Sequence, residues 1–501
     1  GLLKYYHPGV ADGKPDWDRM LINSLKEMEK IKNSDNFDDL IAYLIKKAGK
    51  FNAETEQKNN APASEQKVFR KNFNINWLTD NTVLSPKHRL FLQNLIDHPS
   101  CCENAYVKQY EYGAQNIVIK EEAYKNMAFP SKYYRLLGLF RYWNVINYFF
   151  PYKYLTDDSW DSVLTAYIPV FIKAESRQAY QLAIRKLITK TNDAHANIRL
   201  FKHNIHKLPP FRIKVIDSLA YIGYVFPGDY NLTAGDVIKS INGKTYKQLR
   251  DSFIRIMPHS NMRTFYRDLS NAMCRFEKGT DSISISVNDA QNIIYLPLYD
   301  RDYYKQYLPE YPKYKIYHDS ILYISMRQKS EVLDTLLDSI HKYPALIIDL
   351  RAGGGSPGLF KHFTDTPLNF YSRLDPWLEY PGLYKIVQGK SVYGKCKYKG
   401  KICVLVNEWT QSNGEFWAMF LKALPNTVLI GTPTAGADGN VSKIVFPGNI
   451  ETYFSGIGIY YPDFTTTQRV GITPDFYYKT EVEEVVRGGD SLLKKAVTLS
   501  K

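Results

Sequence analysis

Residues Lys401 to Lys422 read KICVLVNEWTQSNGEFWAMFLK. Ile402 to Val406 form a short apolar run, which predicts a buried strand. A polar turn follows, and from Gly414 to Lys422 the apolar residues recur at helical spacing. Ser412 stands at the joint, where the strand hands over to the first turn of a helix. A hydroxyl there sits beside backbone N–H groups that no helical carbonyl satisfies, the setting an acyl-transfer nucleophile needs. Ser412 with Glu415 also reads as a capping box, S-x-x-E, which requires no chemistry.

Working outward, strands and helices alternate around this unit. Ile321 to Ser325 reads as a strand, a helix extends to Ile340, Ala345 to Leu350 reads as a second strand, and a glycine loop follows. This is a β–α–β pattern with a parallel or mixed sheet. Residues 209 to 300 have another character. Short β-branched and aromatic runs (Phe211 to Val215, Ala220 to Val225, Ser282 to Val287, Ile293 to Leu296) surround the string Ala234 to Gly243, which predicts a strand and an Asn-Gly turn. A helical segment follows from Tyr246.

The N-terminal part reads as a degenerate helical repeat. Leu3 to Tyr6, Trp17-Asp18 and the stretch Phe37 to Ala48 are echoed by Phe140 to Trp143, Trp160-Asp161 and Tyr180 to Thr189. Both copies predict helix, loop, helix, helix. The second ends in Thr191-Asn-Asp-Ala-His195, which the first lacks, and this points to a task for His195. Asn52 to Ser64 is polar and predicts a loop or linker between the copies.

A chain of 501 residues with 44% hydrophobic and 23% charged residues predicts several domains. No apolar run approaches the length of a membrane span. The net charge of +14 comes from scattered lysines, densest at Lys395 to Lys401. Without an arginine-rich helix, zinc finger or aromatic RNA-binding signature, nucleic acid is not an expected partner. The five cysteines include the adjacent pair Cys101 and Cys102, and Cys396 could meet Cys403 across a hairpin. His195, His203 and His206 fit no zinc spacing, so no metal is expected.

Two serines compete as nucleophile. Gly354-Gly-Ser356-Pro-Gly358 matches the G-x-S-x-G elbow, but that mechanism takes an oxyanion donor from the N–H after the serine. Here that residue is Pro357, which has none. Ser412 is followed by Asn413, which has the N–H. The loop Gly353-Gly-Gly355 can bring further backbone donors close to a reacting carbonyl.

These segments together resemble the tail-specific (C-terminal processing) and tricorn-type serine peptidases. Thr191 to His195 is similar to that family's D-x-H segment and Ala234 to Gly243 to its PDZ-type domain. Ile347-Ile-Asp-Leu-Arg351-Ala-Gly-Gly-Gly355 resembles its D-x-R-x-N-x-G-G strand and loop. Thr410-Gln-Ser412-Asn-Gly-Glu415 resembles T-x-S-A-x-E. Ile430 to Gly436 resembles G-x-x-T-x-G, and Gln468 to Asp475 resembles Q-x-x-G-I-x-P-D. The match runs from about residue 190 to 475 and keeps the family's motif order.

The resemblance implies a multidomain α+β protein: a helical module over 1–130, a second over 131–205 carrying His195, a PDZ-like domain over 206–305, and an α/β core of the ClpP/crotonase type over 306–501. It implies a serine endopeptidase acting through an acyl-enzyme on polypeptide, without cofactor, in an extracytoplasmic setting after removal of a signal peptide. The lysine base of the tail-specific branch is replaced by Ala437, so the pair is Ser412 with His195. Asn413 with Gly354 or Gly355 would hold the oxyanion, and Glu415 would brace the site. A glutamate of the tricorn-like branch corresponds to Gln468, with Asp463 and Asp438 as alternatives for the third catalytic position. The competing expectation is a weak or inactive homologue that binds peptide ends through its PDZ-like domain and cleft.

Overall fold

A computed structural model describes residues 1–31, 34–51, 67–79, 84–98, 104–110, 115–200, 207–288, 292–306 and 312–501. The expected linker, the pair Cys101 and Cys102, and His203 and His206 lie outside the described residues. The architecture mixes helix and sheet in two compact units, each assembled from three stretches of chain. One comprises Gly1–Phe201, Ser372–Val387 and Gly439–Ile459; the other comprises Lys202–Tyr371, Gln388–Asp438 and Tyr460–Lys501.

The second unit is organised by a six-stranded sheet in the order Tyr314–Tyr317, Ile321–Ser325, Ala345–Asp349, Lys401–Val406, Thr427–Gly431 and Phe476–Tyr477. The first pair is antiparallel and every later pair is parallel. Parallel strands are covered on both faces, which is why ILYIS, ALIID and KICVLV are continuous apolar runs. On one face Ile321, Tyr323, Ile347, Cys403 and Leu405 pack against Leu492 and Ala496 of the helix Ser491–Ser500. The register sets Asp349 opposite Leu405, so both strands end at one edge of the sheet. The glycine loop and the Ser412 turn therefore leave side by side, at the carboxyl ends where such sheets place ligands.

A β-rich module precedes this sheet in the same unit. Phe211–Ile216 and Leu219–Val225 form a hairpin, and a second sheet has the order Ile294–Pro297, Ser282–Val287, Ile238–Ile241, Lys244–Thr245. Asn242 and Gly243 take φ of 48° and 72°, the left-handed conformation the tight turn needs. The helix Tyr246–Phe253 begins at a capping box of Thr245 and Gln248. The module has its own core, with Phe211, Ile222, Ile238, Ile285 and Phe265 and Leu269 of the helix Met262–Ala272.

In the first unit the helices Lys132–Phe149, Trp160–Ile172 and Arg177–Thr189 accompany an antiparallel sheet of Val441–Phe446, Ile450–Ser455 and Ile198–Leu200. Tyr142 stacks on Phe446 with ring centroids 5.4 Å apart. Gly138, one turn earlier, has no room for a side chain: a Cβ would lie 2.9 Å from the Phe446 ring. The N-terminal helices are tied in by buried charge. Lys4 Nζ lies 2.7 Å from Glu121 and 3.2 Å from Asp18, and Arg141 pairs with both carboxylates, at 3.1 Å for Glu121. Cys396 and Cys403 do not meet: both are free thiols, Cys396 exposed and Cys403 buried in the parallel sheet. The hairpin expectation fails because Lys401 onward pairs with parallel neighbours.

Removing one partner of the buried charge cluster leaves the others unopposed. Glu121→Ala is expected to lower stability by about 3–5 kcal/mol in denaturant unfolding; an unchanged midpoint would contradict the account. Burial works against the Asp18 charge, yet Lys4 and Arg141 hold its carboxyl below the ordinary range. A depressed folded value means that its stabilisation is present above the unfolded value of about 3.9 and is lost as pH falls below it. Asp18→Asn should flatten the acid limb of a stability–pH curve.

Candidate active site

Ser412 adopts φ 55° and ψ −123°, a conformation that costs a non-glycine residue on the order of 1–3 kcal/mol. Its hydroxyl makes no cap hydrogen bond to the helix Asn413–Lys422. The Glu415 N–H goes instead to the Ser412 carbonyl, at 2.7 Å. The bond that matters runs the other way: the Ser412 N–H donates to the Glu415 carboxylate at 3.2 Å and to the Ala437 carbonyl at 3.0 Å. The helix start thus holds the serine backbone and leaves its hydroxyl uncommitted to capping.

Glu415 is fully buried. Its carboxylate also accepts from the Thr434 hydroxyl (2.5 Å), the Gly436 N–H (2.7 Å) and the Ala437 N–H (2.9 Å). Burial pushes its pKa up, and these donors oppose the rise. Thr434 Oγ1 in turn accepts from the Ile472 N–H at 2.7 Å. One carboxylate therefore joins the Ser412 turn to the loop after Thr427–Gly431. Ala437, where the tail-specific branch carries its lysine, is buried against the Ser412 N–H. Lys443 pairs with Glu451 at 2.8 Å.

The glycine loop is held against the helix start. Asn413 Nδ2 donates to the carbonyls of Gly354 (3.1 Å) and Gly355 (2.6 Å), and the Trp417 indole donates to Gly355 (2.6 Å). A Cβ on Gly354 would lie 2.7 Å from the Asn413 carbonyl, so only glycine permits this approach. Among the described residues the N–H groups of Gly354, Gly355 and Asn413 make no hydrogen bond. Ser356 is spent elsewhere: its hydroxyl accepts from the Gly358 N–H at 3.3 Å and caps the turn Pro357–His362. Arg351 anchors the loop by bonding both carboxylate oxygens of Asp349 and of Asp490.

Sequence reading missed a set of grips from the helix Met262–Ala272. Asn261 donates to the carbonyls of Ala435 (2.7 Å) and Arg469 (2.9 Å), and Arg263 to that of Val470 (2.6 Å). Arg267 reaches the Glu408 carbonyl (2.9 Å) and Gln411 Oε1 (2.7 Å) and lies over the Trp409 ring. The β-rich module thus holds three loops around Ser412. Polar residues on an amphipathic helix gave no signal of this, because backbone carbonyls are their partners.

Gln468 is buried, and neither its amide oxygen nor its nitrogen has a hydrogen-bond partner among the described residues. Its neighbour Arg469 donates its N–H to Gly436 at 2.8 Å. Asp463 is exposed and caps its own turn through the Thr465 N–H at 2.9 Å; Asp438 is buried. His195 belongs to the other unit. There its Nδ1 lies 2.9 Å from Ser455 Oγ and 3.6 Å from Asp193 Oδ1, and its Nε2 has no hydrogen-bond partner among the described residues. Ser85, His88 and Asp38 form a second serine–histidine–carboxylate cluster, but serine and carboxylate share one ring nitrogen, Nδ1. That arrangement cannot relay a proton from serine through the ring to the other side.

Residues 320–478, which span five of the six strands of the sheet, the glycine loop and the Ser412 turn, match the family model for Peptidase family S41. Over these residues the chain is similar to that family, and it is a serine-type peptidase. Among solved structures, mature CPAF complexed with lactacystin matches this peptidase over 74% of its chain and 98% of the other, at 12% identity and a TM-score of 0.59. A second structure of mature CPAF matches over 74% and 97%, at 13% identity and a TM-score of 0.58. At such identity the likeness speaks for the fold. No curated protein matches the sequence.

Glu415→Ala in the peptidase strands the Gly436 and Ala437 N–H groups and the Thr434 hydroxyl in the interior, and leaves the Ser412 N–H only its bond to the Ala437 carbonyl. The expected loss is about 3 kcal/mol or more, since each unsatisfied buried group costs about 1–3 kcal/mol. Denaturant unfolding that leaves the midpoint in place would show that the carboxylate is dispensable.

Proposed function

We propose that the chain is a serine endopeptidase in which Ser412 is the nucleophile and His195 its base. The observation that carries this reading is the strained Ser412 backbone at a strand–helix joint, next to a glycine loop with unbonded N–H groups. Strain of this kind persists where the surroundings enforce it and often marks a working residue. Ser412 Oγ attacks the scissile carbonyl while its proton passes to His195 Nε2. The N–H of Asn413 and that of Gly354 or Gly355 take up the oxyanion charge. Collapse expels the amine, which receives the proton from His195, and leaves an acyl-enzyme. Water, deprotonated by the same histidine, then releases the acid.

Further parts of the reading follow from the resemblance. Residues 1–130 and 131–205 act as helical modules, 206–305 as a PDZ-like domain and 306–501 as the catalytic core. A PDZ-like domain would take extended polypeptide by strand addition. An extracytoplasmic setting fits, and no described helix is long and apolar enough to cross a membrane. Gln468, an amide where a carboxylate is expected, and the buried Ala437 favour the second reading, a homologue that binds peptide ends without turnover.

Incubation with an unfolded polypeptide, followed by mass analysis of products, separates the two. Turnover by the wild type should fall at least about a thousandfold in Ser412→Ala and in His195→Ala. Equal cleavage by Ser412→Ala would remove the assignment, and binding without cleavage in the wild type would favour the second reading.

A further inference from the structure

We propose that Asp193 and Ser455 together are the positioning group of the catalytic histidine, the part that the neutral Gln468 cannot play. The inference rests on the reading of His195 as the base, and all its geometry lies within one compact unit. The antiparallel register pairs Thr452 with Ile198, so the strand ending at Ser455 runs back alongside the residues that follow His195. Asp193 is fully buried. One of its oxygens accepts the His195 backbone N–H at 3.0 Å and the other accepts the Ser455 backbone N–H at 2.7 Å. The carboxylate therefore sets the spacing of the two segments.

The side chains add what a purely structural tie does not need. His195 Nδ1 has the Ser455 hydroxyl at 2.9 Å and an Asp193 oxygen at 3.6 Å. The Asp193 oxygen can only accept and the Ser455 hydroxyl can do so, which favours the tautomer with its proton on Nδ1 and leaves the lone pair on Nε2 for the serine proton. Nε2 has no hydrogen-bond partner among the described residues. When the ring becomes cationic, the buried carboxylate stabilises it, as an amide cannot. Burial opposes the Asp193 charge, but His195 and the two N–H donors hold its carboxyl below the ordinary range. The group facing this pair from the helix Lys132–Phe149 is Tyr142, whose phenol is kept neutral by burial and by the Asp193 charge.

The test is the rate of fluorophosphonate labelling for full-length wild type, Asp193→Asn, Ser455→Ala and Ser455→Thr, with Ser412→Ala and His195→Ala as controls. Asp193→Asn removes the carboxylate that stabilises the cationic ring, and the labelling rate should fall about a hundredfold or more. Ser455→Ala should slow labelling about tenfold, and Ser455→Thr should restore it, which loss of packing alone does not predict. Should Asp193→Asn not fold, the Ser455 pair decides. Labelling that needs His195 but keeps its rate in the folded Asp193 and Ser455 variants overturns this inference alone. Labelling that survives His195→Ala overturns the reading on which it rests.

Discussion

The buried carboxylate of Glu415 is the constraint on which the Ser412 turn depends. Four donors converge on it, from the Ser412 turn and from the loop between Thr434 and Ala437. A charge in the interior is costly without partners, and these donors offset that cost only in one arrangement. The strained Ser412 backbone is part of that arrangement. A helix-cap motif in the sequence thus serves as a clasp between two strands' loops, and its stabilisation offsets the strain beside it.

Around this clasp the parallel sheet sets position. Matched strand ends bring the glycine loop and the Ser412 turn to one edge, and Asn413, Trp417 and Arg351 hold the loop there. The helix Met262–Ala272 and its cap Asn261 grip the neighbouring segments at Glu408, Ala435 and Arg469 through their carbonyls. The segments around Ser412 therefore rest on regular elements of the fold. Its positioning residues come from segments far apart in the chain.

Much of the sheet was legible in the sequence. Continuous apolar runs such as Ile321–Ser325 and Ala345–Asp349 carry the parallel-sheet signal, and the Asn242-Gly243 turn and the Ser412 joint read from local chemistry. The N-terminal helices were readable as helices, but not the buried cluster of Lys4, Asp18, Glu121 and Arg141, since charge pairing over such separations leaves no local pattern. Expectation also failed at Cys396 and Cys403, where proximity in sequence was mistaken for a hairpin. For the histidine, sequence reading sought a distant third residue, Gln468, Asp463 or Asp438. The carboxylate found beside the ring is Asp193, within the same short segment, and its relation to Ser455 depends on strand register that no motif records.

The central claim is that Ser412 is an activated nucleophile. Its most direct test is trapping the acyl-enzyme: the wild type is mixed with a p-nitrophenyl ester, quenched, and its peptides are mapped by mass. The account predicts a burst of p-nitrophenol and a single acyl group on the peptide that contains Ser412. An adduct on Ser356 or another residue, or no adduct in folded protein, would contradict it.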